Sequence, residues 1–450
     1  MTAPFRFVPL SDTVAKVQDA PAPHNVPDPE RMSAVIDVDW QVETPLLIGE
    51  ATASDGRESV VEPFKLGDRY AIPGATLRGA MRAIVETVSM GRLFQMNRHA
   101  RYALRDFEHP SYKKFVEAGL GSPGLQAGWL QQINGHPHIT PCDWAYVPIS
   151  ALVGSSDPST TSKWAHKDRS QKYRDRGILW RGTEAFRETA RMSDIGEHQN
   201  KRLFKPDPNG GRPGYLICSG AVPGAKIVNK KYEYAFFDKS SDPRPISDKA
   251  WDVFETSNCK PSQNKRKPDG SWEEFYKTYE QGGRVPVFYV GDLDNTHEDP
   301  HFSFGLTRLY RIPHDRSLGQ VLLKGNPAHR LSKLIGDTWV PEPDFPDILF
   351  GHVFEPQDID GERNPKEDRT GYVPPNEVAR KGRVSFDFAF PTGTSRFALW
   401  PENGPVETIM GPPKPSFAPF YLEGTEKDYS TGAGDLKLAG RKRYLPRHKA

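Results

Sequence analysis

Alternation of apolar and polar residues marks one segment near the start of the chain as strand-like. Residues 34–42, AVIDVDWQV, carry an apolar side chain at every second position. The residues on this apolar face are Ala34, Ile36, Val38, Trp40 and Val42. Because successive side chains of a strand point to opposite faces, this period of two predicts a half-buried strand.

A different spacing follows in residues 75–90, where apolar residues recur three or four positions apart. They are Leu77, Met81, Ile84, Val85 and Val88. This spacing is typical of an amphipathic helix with one face towards a core. We therefore expect the apolar face of 34–42, with Trp40 at its centre, to pack against Leu77, Met81 and Ile84.

Further strands are predicted in the second half of the chain. Residues 214–238 indicate a β-hairpin with a Pro-Gly turn, 285–292 and 301–313 indicate strands, and 382–390 alternate again. Few other segments show a helical period. The pattern therefore predicts an α+β fold with antiparallel sheets and few helices.

Charge and composition narrow the class of protein only modestly. The 450 residues contain 60 Lys and Arg against 58 Asp and Glu, which excludes a uniformly basic protein but not local basic patches. No apolar run is long enough for a membrane span, and the N-terminal residues lack an apolar signal core, so we expect a cytoplasmic protein without a membrane partner. Three cysteines do not form a disulfide framework.

Unusual charges accompany the start of the predicted helix, YAIPGATLRGAMRAIVETV at residues 70–88. Arg78 and Arg82 lie in its first turns, although cations are disfavoured at a helix N-terminus. The free N–H groups there bind anions, and Gly74, which follows Pro73, lets a ligand backbone approach closely. From the residues alone, an anion contact at Gly74, Thr76, Arg78 and Arg82 and an ordinary solvated helix face both stay open.

The same stretch resembles the signature of a known family. Residues LLIGEA followed by YAIPGATLRGAMRAIVE are similar to the signature of the RAMP superfamily, proteins of CRISPR effector complexes. Later segments are similar to one subgroup of large single-chain RAMP proteins, in the same order along the chain. These segments are FRFVPL, LICSGAVPGAKIVNKKYEYAFF, FSFGLTRLYRIP, ILFGHVF, RKGRVSFDFAF, MGPPKPSFAPFYL and LAGRKRYLP.

The resemblance implies ferredoxin-like (RRM-type) units with large loop or thumb insertions. On that basis residues 1–33 form an irregular N-terminal arm, and 34–90 begin the ferredoxin-like core with its IPG-x-x-LRG motif. Residues 91–280 contain insertions and a thumb-like RNA-contacting region. Residues 281–450 complete the core and end in a glycine-bearing basic tail.

The resemblance also implies a function and partners. The chain would be a backbone subunit of a type III-like CRISPR effector, binding guide RNA through its phosphates, facing target RNA and contacting other effector subunits. One alternative is a guide-processing endoribonuclease, with His301 or His314 as general base. The other is an RRM-like RNA-binding protein without catalysis.

Cleavage of target RNA is implied for one acidic residue of the loop between the first strand and the IPG motif. Asp55 is one candidate, and Glu62, which precedes Pro63, is the other. A carboxylate there would hold Mg²⁺ or orient an attacking 2′-OH. The alternative is a solvated loop carboxylate without a catalytic role.

Two basic segments complete the predicted RNA contacts. Residues 163–182 interleave cations such as Lys172 and Arg174 with aromatic residues, a composition that suits single-stranded RNA as well as an ordinary charged surface. In the tail, Gly434 permits close backbone approach, and a run of cations supplies charge. This run is Arg441, Lys442 and Arg443.

A zinc site is not expected. His136, His138 and Cys142 have an H-x-H-x₃-C spacing, but the chain has no Cys-x₂-Cys pair, and structural zinc takes four Cys or His ligands.

Overall fold

The structure is a computed structural model of the chain. It describes residues 5–17, 26, 32–43, 46–51, 61–94, 96, 98, 100–104, 112–113, 116, 124–176, 190–220, 230–239, 241–262, 265–299, 302–330, 332–335, 338–353, 379–393, 421–423 and 437–444. All structural statements below concern these residues.

The described chain alternates many short strands with a smaller number of helices. The strands are β1 (Phe5–Val8), β2 (Gly49–Ala51), β3 (Val61–Pro63), β4 (Lys65–Leu66), β5 (Arg69–Tyr70), β6 (Arg101–Leu104), β7 (Gln126–Ile133), β8 (His136–Pro148), β9 (Ala190–His198), β10 (Lys201–Pro206), β11 (Arg212–Ile217), β12 (Tyr232–Asp238), β13 (Arg244–Pro245), β14 (Cys259–Ser262), β15 (Lys265–Pro268), β16 (Val285–Val290), β17 (Ser303–Gly305), β18 (Ile312–Ser317), β19 (Ser332–Ile335), β20 (Thr338–Pro341), β21 (Gly351–Val353), β22 (Ala379–Lys381) and β23 (Arg441–Tyr444). The helices are α1 (Gly74–Val88), α2 (Ile149–Val153), α3 (Pro158–Ala165), α4 (Arg169–Asp175), α5 (Asp248–Asn258), α6 (Ser271–Glu280), α7 (Leu318–Gly325) and α8 (Phe345–Phe350).

The largest sheet has nine strands and is almost entirely antiparallel. Its order is β10-β9-β11-β12-β8-β7-β16-β17, and β13 adds to β8. A parallel pairing of β10 with β8, at Leu203 and Tyr146, joins two non-neighbouring strands of this order. Strands β8 to β12 therefore form a closed strand ring.

A tight turn sets the register of the longest hairpin. Asn134 and Gly135 connect β7 to β8 and both have positive φ, 52° and 82°. A two-residue turn with this backbone matches the right-handed twist of the flanking strands, and Asn-Gly is the pair that adopts it most readily. The turn fixes Ala127 opposite Cys142 and Ile133 opposite His136.

Aromatic side chains dominate the core where helices cover the sheet. Strand β16 is buried along its whole length, as expected of a strand covered on both faces. Helices α5 and α6 pack beside it through Phe254 and Trp272. The ring centre of Phe254 lies 5.0 Å from that of Trp272 and 4.5 Å from that of Phe304 in β17. Edge-to-face and stacked pairs at such distances add specific stabilisation to the buried area.

Several sequence predictions are confirmed. The helix predicted in 75–90 is α1, and the strand predicted in 285–292 is β16. The predicted hairpin of 214–238 is the antiparallel pair β11–β12, although its turn at Pro223-Gly224 lies outside the described residues. The segment 301–313, predicted as one strand, contains β17 and the first residues of β18.

The prediction for residues 34–42 is wrong. This segment has no strand assignment, and its apolar side chains are exposed, with Ile36 80% and Trp40 45% accessible. Residues 382–390 are also not a paired strand; they form one isolated bridge, Ala389 with Ile72. The expected core of Trp40 against α1 is therefore not formed.

The described structure is thus α+β with antiparallel sheets, as predicted. Most strands of the nine-stranded sheet, β7 to β13, come from the range 91–280 that the sequence assigned to insertions. The division into four segments stays a prediction. No described helix has the length and apolar content needed to cross a bilayer.

Candidate nucleic-acid interface

The start of α1 is open to solvent on one side. Pro73 is the N-cap residue, no side chain caps the helix, and its first turn contains no acidic residue. The outward face of the first two turns consists of small exposed residues, Ala75, Thr76, Gly79 and Ala80. A Cβ added at Gly79 would meet nothing within 4 Å, so this face is unobstructed.

The other side of the first turn is closed by the chain itself. Gly74 is buried, and a Cβ built there would lie 2.1 Å from the carbonyl oxygen of Phe386. The close approach that requires glycine at this position is therefore that of the segment 382–390. This corrects the prediction that Gly74 accommodates a ligand backbone.

Arg78 is half-buried, and its guanidinium donates a hydrogen bond to the carbonyl oxygen of Phe350, at the end of α8. A cation near the carboxyl end of a helix satisfies a free carbonyl group. Arg78 therefore ties α1 to α8, and only part of its side chain is left to face a ligand.

Arg82 lies on the buried face of α1 and not on a ligand-facing one. Its Nε donates to Glu86 at 2.9 Å, one Nη to Asp347 at 3.3 Å and the other to the carbonyl of Gly351 at 2.8 Å. Each nitrogen of the guanidinium therefore has one partner within the protein. The predicted phosphate contact of Arg82 is accordingly corrected to a structural role.

The Arg82 contacts belong to a larger buried network between α1 and α8. The side chain of Arg92 is fully buried and donates to Asp347 at 2.6 Å and to the carbonyl of Arg330 at 3.0 Å. The carboxylate of Asp344 accepts the backbone N–H of Arg92 at 2.6 Å. Burial, and then the neighbouring Asp347, raise the pKa of Asp344. The arginines thus compensate two carboxylates that would otherwise repel each other.

His329 joins the N-terminal segment to this network. Its Nδ1 accepts the backbone N–H of Leu93 at 2.9 Å, and its Nε2 lies 2.9 Å from the carbonyl oxygen of Ser11. A backbone N–H only donates and a carbonyl only accepts, so the proton is on Nε2. Burial lowers the pKa of His329, in agreement with this neutral form.

The basic tail packs against α1 through strand β23, which pairs with β1. Arg441 is buried and contacts Glu86 at 3.3 Å, and Arg443 donates to the carbonyl of Ala83 at 2.6 Å. The ammonium of Lys442 lies 4.1 Å from the ring centre of Phe5. The burial and ion pair of Arg441 correct its predicted RNA contact, whereas the RNA contacts of Lys442 and Arg443, which are half-buried, stay a prediction; Gly434 lies outside the described residues.

Lys172 is likewise unavailable to a ligand. Its side chain is fully buried, and its ammonium donates to Glu233 at 3.0 Å and to the carbonyl of Ser219 at 2.8 Å. Lys230 contacts the same carboxylate, at 2.5 Å. The predicted RNA contact of Lys172 is therefore corrected to a buried ion pair. Arg174, two residues on, is exposed.

One of the two acidic candidates, Glu62, lies on a short hairpin before α1. Glu62 is exposed in β3 and stands directly opposite Glu50 of β2. Two residues further, Phe64 accepts the backbone N–H of Ala71 at 3.3 Å, so the base of the hairpin adjoins the start of α1. Asp55 lies outside the described residues.

This donor set is compatible with Mg²⁺. Magnesium usually takes one or two carboxylates together with waters and substrate phosphates, so Glu50 and Glu62 would suffice as protein ligands. Among the described residues, no group of three His, Cys, Asp or Glu side chains is arranged as a metal cage.

Two of the histidine and cysteine candidates, Cys142 and His314, are buried. Cys142 is buried, and burial raises the pKa of its thiol, whereas a zinc ligand must be a thiolate. His314 is buried, and its Nδ1 accepts the backbone N–H of Arg316 at 3.0 Å. Of the two histidines considered as a general base, His301 lies outside the described residues.

Comparison with known proteins gives one family. The model of the RAMP superfamily matches residues 41–390, which is more than three quarters of the chain. No curated protein matches the chain. The match begins before the acidic hairpin and ends with the 382–390 segment that closes one side of α1.

Proposed function

Because the chain belongs to the RAMP superfamily, a family of CRISPR-associated proteins, we propose that it is an RNA-binding subunit of a CRISPR effector complex. Its partners would be a guide RNA, a complementary target RNA and other effector subunits, and it would work in the cytoplasm. We further propose that ferredoxin-like units of the RAMP type underlie its α+β fold. The start of α1 is the proposed contact with the guide.

The open first turn of α1 carries this proposal. Free N–H groups and the helix dipole favour an anion at a helix N-terminus, and no acidic side chain of the first turn competes for that position. The small side chains of Ala75, Thr76, Gly79 and Ala80 let a phosphate backbone approach the helix. Backbone phosphates dominate affinity for nucleic acids without selecting a sequence, as a guide-binding subunit requires.

Thr76→Glu separates RNA binding from folding. Thr76 is the third residue of α1, where a carboxylate favours the helix dipole, so we expect unchanged or slightly raised thermal stability. A bound phosphate would instead be repelled. We expect RNA affinity to fall about five-fold, the factor for roughly 1 kcal/mol between unit charges 4 Å apart in water. Filter binding with single-stranded RNA, beside a thermal melt, measures both effects.

Thr76→Gln is the matched control, since glutamine has the size of glutamate without its charge. It should bind RNA like the wild type. Equal affinity of the Glu and Gln variants would contradict the contact at α1, and absence of RNA binding by the wild type would contradict the function as a whole.

We also propose that target RNA is cleaved beside this contact, in the presence of Mg²⁺. The support is positional: Glu62 and Glu50 face each other on a hairpin whose base adjoins α1. RNA provides its own nucleophile, the 2′-OH. The protein would then hold the backbone in line and stabilise the charge that develops on the phosphate.

Asp55→Asn and Glu62→Gln test this proposal in the assembled complex. We expect the variant of the acting carboxylate to lose cleavage of labelled target RNA while guide binding stays unchanged. Glu197→Gln, an exposed glutamate on β9, is the control and should cleave normally. Target RNA that stays whole with Mg²⁺ and with EDTA alike would make the protein a scaffold.

A further inference from the structure

A group of aromatic side chains lies on the outer face of the closed strand ring. Phe204 of β10 and Phe237 of β12 contact each other, with centroids 4.7 Å apart, although their strands are not paired, so they point into the ring. Alternation along β12 then directs Tyr232 and Tyr234 outwards. Tyr146 is the cross-strand partner of Tyr234 and shares its face.

Four of these outward residues form what we call the aromatic platform: Trp144, Tyr146, Tyr232 and Tyr234. Their rings are contiguous, with centroids 5.1 Å apart for Trp144–Tyr146 and 5.3 Å for Tyr146–Tyr232. All four side chains are half-buried, and Trp144 and Tyr234 also pack against the hydrophobic core. Buried Phe288 supports them from below, 5.5 Å from Trp144.

Two cations lie over rings of the platform. The guanidinium of Arg308 lies over Tyr146, 5.4 Å from its ring centre, and the ammonium of Lys201 lies over Tyr232, 5.2 Å from its ring centre. Within the described part of the chain neither cation forms an ion pair. The charges of both cations are therefore not balanced by a carboxylate of these residues.

The acidic residues of the same strands are already neutralised. Glu233 points into the ring and pairs with Lys172 and Lys230. Asp143 accepts from Arg212 at 2.9 Å and contacts Lys239 at 2.8 Å. The local charge at the platform is therefore positive, which favours an anionic partner.

We propose that the aromatic platform binds single-stranded RNA by stacking its bases, while Arg308 and Lys201 contact the adjacent phosphates. This rests on the proposed function and adds a second contact, separate from α1. The chemistry is specific to nucleic acid, because flat rings suit bases and the bordering cations suit the phosphates between them. A polypeptide partner would need both acidic and flat groups in the same alternation.

The proposal is tested by replacing two tyrosines with leucine, which removes the aromatic rings but keeps large apolar side chains. We expect the double variant Tyr146→Leu, Tyr232→Leu to bind a 20-nucleotide oligouridine about 5- to 150-fold more weakly for each stacked base lost. The double variant Tyr146→Phe, Tyr232→Phe keeps both ring faces and should bind like the wild type. Equal thermal melts of the two variants confirm that the fold is retained.

An abasic RNA of the same length distinguishes stacking from charge. The wild type should bind it more weakly than oligouridine, whereas the Leu variant should bind both RNAs alike. Arg308→Gln should weaken both and reduce the salt slope by about 0.7, the value for one phosphate contact of a single strand.

The outcomes separate this proposal from the proposed function. If the Leu variant binds oligouridine like the wild type, the platform is not an RNA site, even if Thr76→Glu weakens binding. If the Leu variant loses another subunit of the complex but not RNA, the platform is a protein-docking surface. If the wild type binds neither RNA, both proposals are wrong.

Discussion

Replacing Arg92 with methionine is expected to destabilise the protein by about 3–5 kcal/mol. The side chain of Arg92 is fully buried and contacts both Asp347, at 2.6 Å, and Asp344, at 3.8 Å. Methionine fills similar space but leaves two buried carboxylates near each other with only Arg82 as a cationic partner, on Asp347. Urea unfolding followed by intrinsic fluorescence at about neutral pH measures the loss.

The loss of stability in the Arg92→Met variant should be smaller at acidic pH. Burial and Asp347 already raise the pKa of Asp344 above its ordinary value, while Arg92 lowers it. A carboxyl group with a raised pKa in the folded state stabilises the protein at low pH and loses that contribution as pH rises through the folded pKa. Without Arg92 the pKa of Asp344 rises further, so stability depends more strongly on pH. We expect the difference from wild type to be smaller at about pH 5 than at about pH 7.

Arg202→Met is the control for this variant. Arg202 pairs with Asp194 at 2.9 Å, but both side chains are exposed, and exposed ion pairs contribute little to stability. A loss of equal size in the two variants, or a deficit at Arg92 that does not change with pH, would contradict the compensating role of the buried network.

The network also shows why the arginines of α1 could not be assigned from the sequence. Their position at the start of the helix indicated an anion site, but Arg78 donates to the carbonyl of Phe350, and the anions beside Arg82 are Glu86 and Asp347 of the chain itself. Arg82 and Glu86 are four residues apart, a spacing for side-chain pairing that is visible in the sequence. The contribution of Asp347, 265 residues away, is set by tertiary structure alone.

Local signals predicted elements well and their partners poorly. The period of α1 and the apolar run of β16 were sufficient to place both, and the Asn-Gly pair at 134–135 would have located the longest hairpin too. Alternation in 34–42 indicates that one face can be buried but not which surface covers it. In the structure Ile36 and Trp40 are exposed, 80% and 45% respectively.

The aromatic platform was only partly visible beforehand. Tyr232 and Tyr234 lie in the segment that the sequence identified as a hairpin, whereas Tyr146 does not, and alternation does not tell the inner from the outer face of a closed ring. Arg308 is more than 70 residues from them in sequence and reaches Tyr146 only through the fold. The basic segment favoured from the sequence contains Lys172, whose charge is instead used inside the protein.

The buried carboxylate that pairs with Lys172 gives the second large expected effect on stability, in the variant Glu233→Gln. Glu233 is fully buried and accepts from Lys172 at 3.0 Å and from Lys230 at 2.5 Å. Glutamine keeps a hydrogen-bonding oxygen for Ser219 but removes the only charge that compensates two ammonium groups within this cluster. We expect a loss of about 3–5 kcal/mol at neutral pH, measured by urea unfolding. Lys172→Met should cost less, because Glu233 would still be paired with Lys230.

The pH dependence of Glu233→Gln should run opposite to that of Arg92→Met. Burial lowers the pKa of Lys230 to about 8, and Glu233 partly offsets this. An amine with a lowered pKa in the folded state makes the protein more stable as pH rises from the folded pKa towards its ordinary value. Removing Glu233 lowers that pKa further, so more of the cost disappears once Lys230 is neutral. We expect the deficit to be smaller at about pH 9 than at about pH 7. A deficit independent of pH would show that Glu233 acts through packing and hydrogen bonds, and that its charge does not stabilise the buried lysines.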